Sequence, residues 1–211
     1  MIISNKHHFL FVHNYKTAGV SITEALLPFA FDNRIGYLTF KALRKLNITA
    51  PSIINPQPYP KHISAPQLIE KLGEERYKTF FTFSFVRNPW DWQVSLYNYM
   101  LKSPEHPQHT FIKSMSNFDE YIRWRCAEEV RLQKDFIFLA GDKQAVDLIG
   151  RYEKLADDFE TICKRIGITA SLRWLNVSRT KPYQEYYTPE TIRLVRKAFA
   201  PDIALFGYDF E

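Results

Sequence analysis

The sequence has only two cysteines, Cys126 and Cys163, among its 211 residues. Two cysteines do not make a disulfide framework, so cross-links do not hold this fold together. The chain also lacks internal repeats and low-complexity tracts, which excludes a repeat array and a disordered protein. A chain of this length, with 45% hydrophobic and 24% charged residues, can bury a substantial core. We therefore predict a single folded domain over residues 1–211.

Long apolar runs are missing as well. No segment has the length needed for stable insertion into a membrane, and the N-terminus shows no signal pattern. The spacing of histidines, cysteines and acidic residues fits no structural metal site. What the sequence has instead is a net charge of +5 and a pI of about 9.1. That charge fits either a mildly basic surface or attraction for an anionic ligand.

Strand-like and helix-like segments alternate along the chain. The apolar run 8–13 predicts a buried strand, and the apolar spacing over 22–29 predicts a helix with one buried face directly after it. The run 79–86 predicts another buried strand. Further helices are predicted at 37–46, 64–73, 89–102, 117–126, 155–166 and 188–199, and further strands at 136–139 and 146–150. This alternation predicts a three-layer α/β domain, with a central, mostly parallel sheet and helices on both faces.

Residues 11–22 read FVHNYKTAGVSI, which is an apolar run, a lysine in a loop of small residues and the start of a helix. A helix N-terminus offers unpaired N–H groups and the positive end of the helix dipole, and both attract anions. Lys16 adds a full charge, and Ser21 can donate a hydrogen bond to the same anion. The segment predicts a phosphate or sulfate site, although on its own it also fits an ordinary turn with a solvated lysine.

Residues 83–97 read FSFVRNPWDWQVSLY and predict a second anion site. Arg87 ends an apolar strand, where a parallel sheet presents ligand groups, and its guanidinium can bond two phosphate oxygens. Ser95 follows eight residues later on the next helix. Alternatively, Arg87 pairs with Asp91 and Ser95 fills a small gap. Two anion sites after two strands indicate one ligand that carries two separate acidic groups.

Both segments resemble the sulfotransferases that use 3′-phosphoadenosine-5′-phosphosulfate (PAPS), and they are most similar to the branch that sulfates carbohydrates. The resemblance continues in the family's order through KHI at 61–63, GRYEKL at 150–155 and FGY at 206–208. Ala18 and Val20 depart from it, since Gly and Thr are common there, and Trp92 stands where these helices often carry Arg. The resemblance implies a P-loop NTPase-like sulfotransferase fold.

In this family the KTAGVS loop would bind the 5′-phosphosulfate, and Arg87 with Ser95 would bind the 3′-phosphate. A late basic turn closes the 3′-phosphate site in many members, which makes Arg179 and Lys181 weaker candidates; a solvated turn fits them equally well. The cofactor-binding residues implied are Lys16, Thr17, Ala18, Gly19, Val20, Ser21, Arg87, Ser95, Arg179 and Lys181. The resemblance also implies PAPS as donor, 3′,5′-ADP as product, no metal, and a small-molecule or oligosaccharide acceptor rather than nucleic acid.

Two residues are predicted to be catalytic. Lys16 would stabilise the negative charge that grows on the oxygen between sulfate and phosphate during transfer. His62, which matches a histidine of many family members, would take the proton of the attacking hydroxyl. A histidine at the entry to a helix can also simply bond the backbone, so this alternative stays open.

Two other functions share parts of the pattern. A nucleotide-dependent kinase needs a Gly-x4-Gly-Lys-Ser/Thr loop and an acidic Mg²⁺ ligand, whereas Gly19 is the only glycine of this loop. A non-catalytic anion- or glycan-binding module needs no base. The missing signal pattern predicts a cytoplasmic, bacterial-type enzyme, although a Golgi lumenal domain trimmed of its anchor would look similar.

Overall fold

The computed structural model describes residues 1–51, 55–173 and 181–211. The chain divides into two compact units. The first comprises Met1–Val86 and Asp135–Leu175, and the second comprises Arg87–Lys134 and Asn176–Glu211. The single domain over 1–211 stays a prediction.

The first unit contains the central sheet. The strands are β1 (Ile2–Ser4), β2 (Phe9–Phe11), β3 (Phe81–Val86), β4 (Phe138–Leu139), β5 (Lys143–Gln144) and β6 (Leu148–Arg151). Four of them form one sheet in the order β1, β2, β3, β6, and β4 pairs separately with β5. The β2–β3 and β3–β6 pairs are parallel, whereas β1 runs antiparallel to β2. The predicted mostly parallel sheet is therefore confirmed.

Helices follow the strands much as the apolar spacing predicts. They are α1 (Gly19–Leu26), α2 (Arg34–Lys45), α3 (Ala65–Leu72), α4 (Glu74–Tyr77), α5 (Pro89–Lys102), α6 (His109–Lys113), α7 (Phe118–Glu128), α8 (Leu155–Arg165), α9 (Pro189–Ala198) and α10 (Ala200–Phe206). Seven of them lie within a few residues of the predicted helices, whereas α4, α6 and α10 were not predicted. Within the ranges that the structure describes, no helix is long and apolar enough to cross a membrane.

Aromatic side chains of β2 and β3 form the centre of the first unit's core. Phe11 stacks on Phe83 with ring centroids 5.4 Å apart, and both are fully buried. Helix α1 adds Ile22 and Leu26 to the same cluster, and α8 adds Phe159. Each such side chain contributes about 1.5–3 kcal/mol when it is fully buried. This core fixes the strand ends after which the two predicted anion motifs begin.

Local capping sets where the helices near those segments begin and end. Ser64 and Gln67 form a capping box at α3, and Gly73 ends that helix with a φ of 79°. At α5, Pro89 occupies the first position and the Asn88 side chain accepts a 3.0 Å hydrogen bond from the backbone N–H of Trp90. The helix therefore starts two residues after Arg87.

The second unit is helical and has a buried polar support. Trp92 packs edge-on against Phe199, and both rings are buried. The fully buried carboxylate of Asp202 accepts hydrogen bonds from the backbone N–H groups of Gln133, at 2.7 Å, and Lys134, at 3.0 Å. These bonds hold Gln133 in place, which matters because Gln133 in turn binds Arg87.

Candidate active site

The loop between β2 and α1 has an unusual backbone. Lys16 and Ala18 both have positive φ angles, 61° and 62°, in the left-handed region that non-glycine residues rarely adopt. Ala18 is also the N-cap residue of α1, and no side chain among the described residues caps this helix. The first N–H groups of α1 are therefore presented around the loop, as an anion site requires.

The base of this loop is tied to β3. The Ser84 hydroxyl donates to the carbonyl of Val12 at 2.8 Å, and the Asn14 amide donates to the carbonyl of Phe85 at 3.4 Å. Within the loop, the Thr17 hydroxyl donates to the Asn14 carbonyl at 2.9 Å. This bond takes the proton of the Thr17 hydroxyl, and the residue as a whole is fully buried.

His13 lies directly under the start of α1. A Cβ atom placed on Gly19 would come within 1.9 Å of His13 Nε2, so only glycine fits at this position. The ring is almost completely buried, and this burial lowers the pKa of His13 to about 2. His13 is therefore a neutral side chain that packs against Gly19 at the start of α1. Its ring position and the need for Gly19 are visible only in three dimensions.

His62 is bound to the same residue. Its Nδ1 lies 3.1 Å from the carbonyl oxygen of His13, and the two rings meet edge to face at 4.7 Å. Because a carbonyl only accepts, Nδ1 carries the proton and Nε2 is left with the lone pair. Burial against His13 lowers the pKa of His62 from its ordinary value, with a smaller opposing effect of the hydrogen bond. The residue as a whole is solvent-exposed.

The second anion motif lies in the helical unit. Arg87 Nε and Asp91 Oδ2 form an ion pair at 2.9 Å, and both side chains are only 6% exposed. The backbone of Arg87 is held from both sides by Gln133, whose amide accepts from its N–H and donates to its carbonyl. Ser95 is buried one helical turn beyond Asp91, on the same face. The ion pair that the sequence left open is thus present, and it orients the guanidinium.

Two clefts of the first unit share Val20, Glu24 and Arg44 as walls. The larger, about 1020 Å³, extends past Ser21 to Tyr37. The smaller, about 300 Å³, extends instead toward the segment that leads into His62. The start of α1, just after the β2–α1 loop, therefore borders two neighbouring clefts of unequal size.

The late basic residues do not add to this picture. Arg179 lies outside the described residues. Lys181 donates to the carbonyl of Glu185 at 3.1 Å and its ammonium lies 4.5 Å from the centroid of the Tyr186 ring. Its side chain is thus bound to its own turn. In the described ranges, no group of three or more histidine, cysteine or acidic side chains could hold a metal ion.

Comparison with known proteins agrees with the two motifs. A family model described as the sulfotransferase family matches residues 1–209. An uncharacterized protein of Archaeoglobus fulgidus is 28% identical over 110 residues, which cover 48% of this chain and 80% of that protein. The crystal structure of mouse sulfotransferase SULT7A1 complexed with PAP has a TM-score of 0.54 and 15% identity, over 99% of this chain and 91% of the other. The structural match shows a shared fold, and the family match over residues 1–209 shows that the chain belongs to the sulfotransferase family.

Proposed function

We propose that the protein transfers the sulfuryl group of PAPS to a hydroxyl group of a carbohydrate. The observation that carries the proposal is the position of His13, whose ring supports the anion loop at Gly19 while its carbonyl holds His62. One residue thereby couples a donor-binding loop to a histidine with its Nε2 lone pair available as a base. A binding module has no need for that coupling.

The residues of the chain fit the acidic groups of PAPS. In the first unit, the N–H groups of α1 and the ammonium of Lys16 would hold the 5′-phosphosulfate, with Ser21 as a further donor. The adenosine would occupy the 1020 Å³ cleft that Ser21 and Tyr37 line, since an aromatic wall suits a purine. In the second unit, Arg87 and Ser95 would hold the 3′-phosphate, with Asp91 fixing the guanidinium through Nε.

PAPS supplies the sulfuryl group when it is bound, and 3′,5′-ADP is the product that remains. His62 Nε2 accepts the proton of the acceptor hydroxyl as that oxygen bonds to sulfur. Lys16 and the α1 N–H groups stabilise the negative charge on the phosphate oxygen as its bond to sulfur breaks. His13 keeps His62 in the tautomer that this step requires.

Several features favour a carbohydrate as the acceptor. His62 is exposed, and the smaller cleft near it is bounded by polar side chains and by the aromatic ring of Tyr59. Sugars need hydrogen-bonding groups beside an apolar ring face, and this combination supplies both.

Turnover with ³⁵S-labelled PAPS against a panel of oligosaccharides tests the proposal. We expect transfer that survives EDTA, because Lys16 and helix N–H groups supply the charge that Mg²⁺ supplies in kinases. Lys16→Met should lower kcat strongly while 3′,5′-ADP still binds, since the other loop donors remain. Binding of 3′,5′-ADP without transfer to any acceptor would favour a binding module. Activity that EDTA abolishes and Mg²⁺ restores would favour a kinase.

A further inference from the structure

The smaller cleft beside the anion loop is formed by two different parts of the first unit. Helix α1 contributes Val20 on one side, and the segment before His62 contributes Gln57, Tyr59 and Lys61 on the other. The segment ends at the residue proposed as the base. His62 itself does not line the cleft, but its chain neighbour Lys61 does, so a group bound there would lie beside the segment that carries the proposed base.

The charges in this cleft do not cancel. Glu24 is paired with Arg44 at 2.7 Å, so these two side chains neutralise one another. Lys61 also lines the cleft, is exposed, and forms no ion pair with any acidic side chain among the described residues. Its charge is close enough to His62 to lower the pKa of that histidine. The cleft thus carries one uncompensated positive charge beside the proposed base.

The volume of the cleft limits what it can hold. About 300 Å³ is at the lower end of ligand-binding clefts, which run from roughly 300 to 1,000 Å³. That space suits one unit of an oligosaccharide rather than a nucleoside with its phosphates. Tyr59 offers a ring face and Gln57 an amide, which are suitable partners for a sugar ring and its hydroxyl groups.

We propose that this cleft binds an acidic sugar unit of the acceptor, with Lys61 as the cation for its carboxylate or sulfate group. The proposal rests on the sulfotransferase function and adds the chemical class of the acceptor to it. It assigns to Lys61 a role in acceptor choice, whereas Lys16 acts on the donor. A positive charge next to His62 also favours the neutral form of the ring, so the same residue serves recognition and the base.

A matched pair of acceptors tests the proposal: an oligosaccharide that contains uronic acid and its carboxyl-reduced counterpart, which differ only in the charged group. The wild-type protein should have a higher kcat/KM and a tighter calorimetric Kd for the acidic one. We expect a preference of up to about fivefold, since an exposed ion pair contributes modestly. The preference should shrink as salt is raised from 50 to 300 mM, because salt screens exposed charges.

Three variants test whether the preference for the acidic oligosaccharide comes from Lys61 of this cleft. Lys61→Met should abolish it, Lys61→Arg should keep most of it, and Lys71→Met, which removes an exposed lysine of α3 that lines neither cleft, should leave it unchanged. Equal values for the two oligosaccharides, or binding of neither, would overturn the proposal. So would a loss in Lys61→Met that is equal for both acceptors or that extends to 3′,5′-ADP, because Lys61 would then serve the donor. If the wild type fails to bind 3′,5′-ADP at all, the proposed function itself fails.

Discussion

Arg87 and Asp91 allow binding of the 3′-phosphate to be separated from folding. Arg87 Nε lies 2.9 Å from Asp91 Oδ2, and both side chains are only 6% exposed. Replacing Arg87 alone strands the Asp91 carboxylate in the interior, so loss of ligand binding could then reflect loss of the fold. The informative set is Arg87→Met, Asp91→Asn and the double variant.

The expected energies follow from desolvation. Removing one partner of a buried ion pair costs about 3–5 kcal/mol, because the remaining charge stays buried without compensation. Replacing both partners with neutral side chains of similar size is often close to neutral. Urea unfolding followed by tryptophan fluorescence should therefore give a lower free energy of unfolding for each single variant than for the wild type. The double variant should have a free energy of unfolding close to that of the wild type. With each single variant losing about 3–5 kcal/mol and the double variant losing almost nothing, the coupling free energy should be about 6–10 kcal/mol in magnitude.

An exposed pair provides the matched control. Arg123 and Glu190 also form an ion pair, at 2.6 Å, but their side chains are 50% and 52% exposed, respectively. A double-mutant cycle with Arg123→Met, Glu190→Gln and the double variant should give a coupling free energy below about 1 kcal/mol. Similar couplings at the two pairs would refute the argument from burial.

The ligand measurement then uses the stable double variant. The wild type should bind 3′,5′-ADP more tightly than 5′-AMP, and the difference should be about 2–5 kcal/mol if a buried charged hydrogen bond holds the 3′-phosphate. The Arg87→Met/Asp91→Asn protein should bind both nucleotides equally, and Ser95→Ala should lose part of the preference without disturbing the pair. A double variant that still prefers 3′,5′-ADP would show that Arg87 is structural and that the 3′-phosphate binds elsewhere.

Three further predictions concern the loop and its histidines. His62→Gln should lower kcat by about 100- to 10,000-fold, leave 3′,5′-ADP affinity nearly unchanged and remove the acidic limb of the pH–rate profile. In the wild type that limb should lie below pH 6.5, because burial lowers the pKa of His62 and only the neutral ring accepts a proton; a limb above 6.5 would contradict this. His13 is neutral in the folded protein but becomes charged in the unfolded chain below pH 6.5. The free energy of unfolding should therefore decrease as the pH is lowered, by about 1.4 kcal/mol per pH unit more than in His13→Gln. Equal slopes for the two proteins in urea titrations at pH 4.5–6 would contradict this prediction. Ala18→Gly should raise the free energy of unfolding by about 1 kcal/mol, since glycine adopts the φ of 62° without strain; a less stable variant would show that the methyl group packs usefully.

The two anion motifs were predictable because their signals are local. Lys16 follows an apolar strand and precedes an amphipathic helix within a dozen residues, and Arg87 stands at the end of another strand just before a helix-starting Asn–Pro pair. Ser64 and Gly73 mark the ends of α3 for the same reason, since caps depend on residues three or four positions apart. The family match agrees with the interpretation that these patterns support.

Other elements could not be predicted because their signals are too short. Strand β1 has three residues, Ile2–Ser4, which is too few for an alternating pattern, and its partner is recognisable only from the register against β2. The predicted helix 188–199 matches α9 alone, and α10 was missed: it has only seven residues, and Phe199 alone separates it from α9.

What the sequence by itself determined is the order of most strands and helices, the mostly parallel sheet and the two strand-to-helix turns that we propose as anion sites. These depend on neighbours along the chain. Only the tertiary structure placed the ring of His13 against Gly19, bound His62 to the His13 carbonyl and buried the charge of Arg87 against Asp91. It also left Lys61 without an acidic partner among the residues that the structure describes. Burial and electrostatic compensation are properties of the residues that surround a group in space. His13 and His62 are 49 positions apart in the chain, so no local pattern could reveal that they share a hydrogen bond.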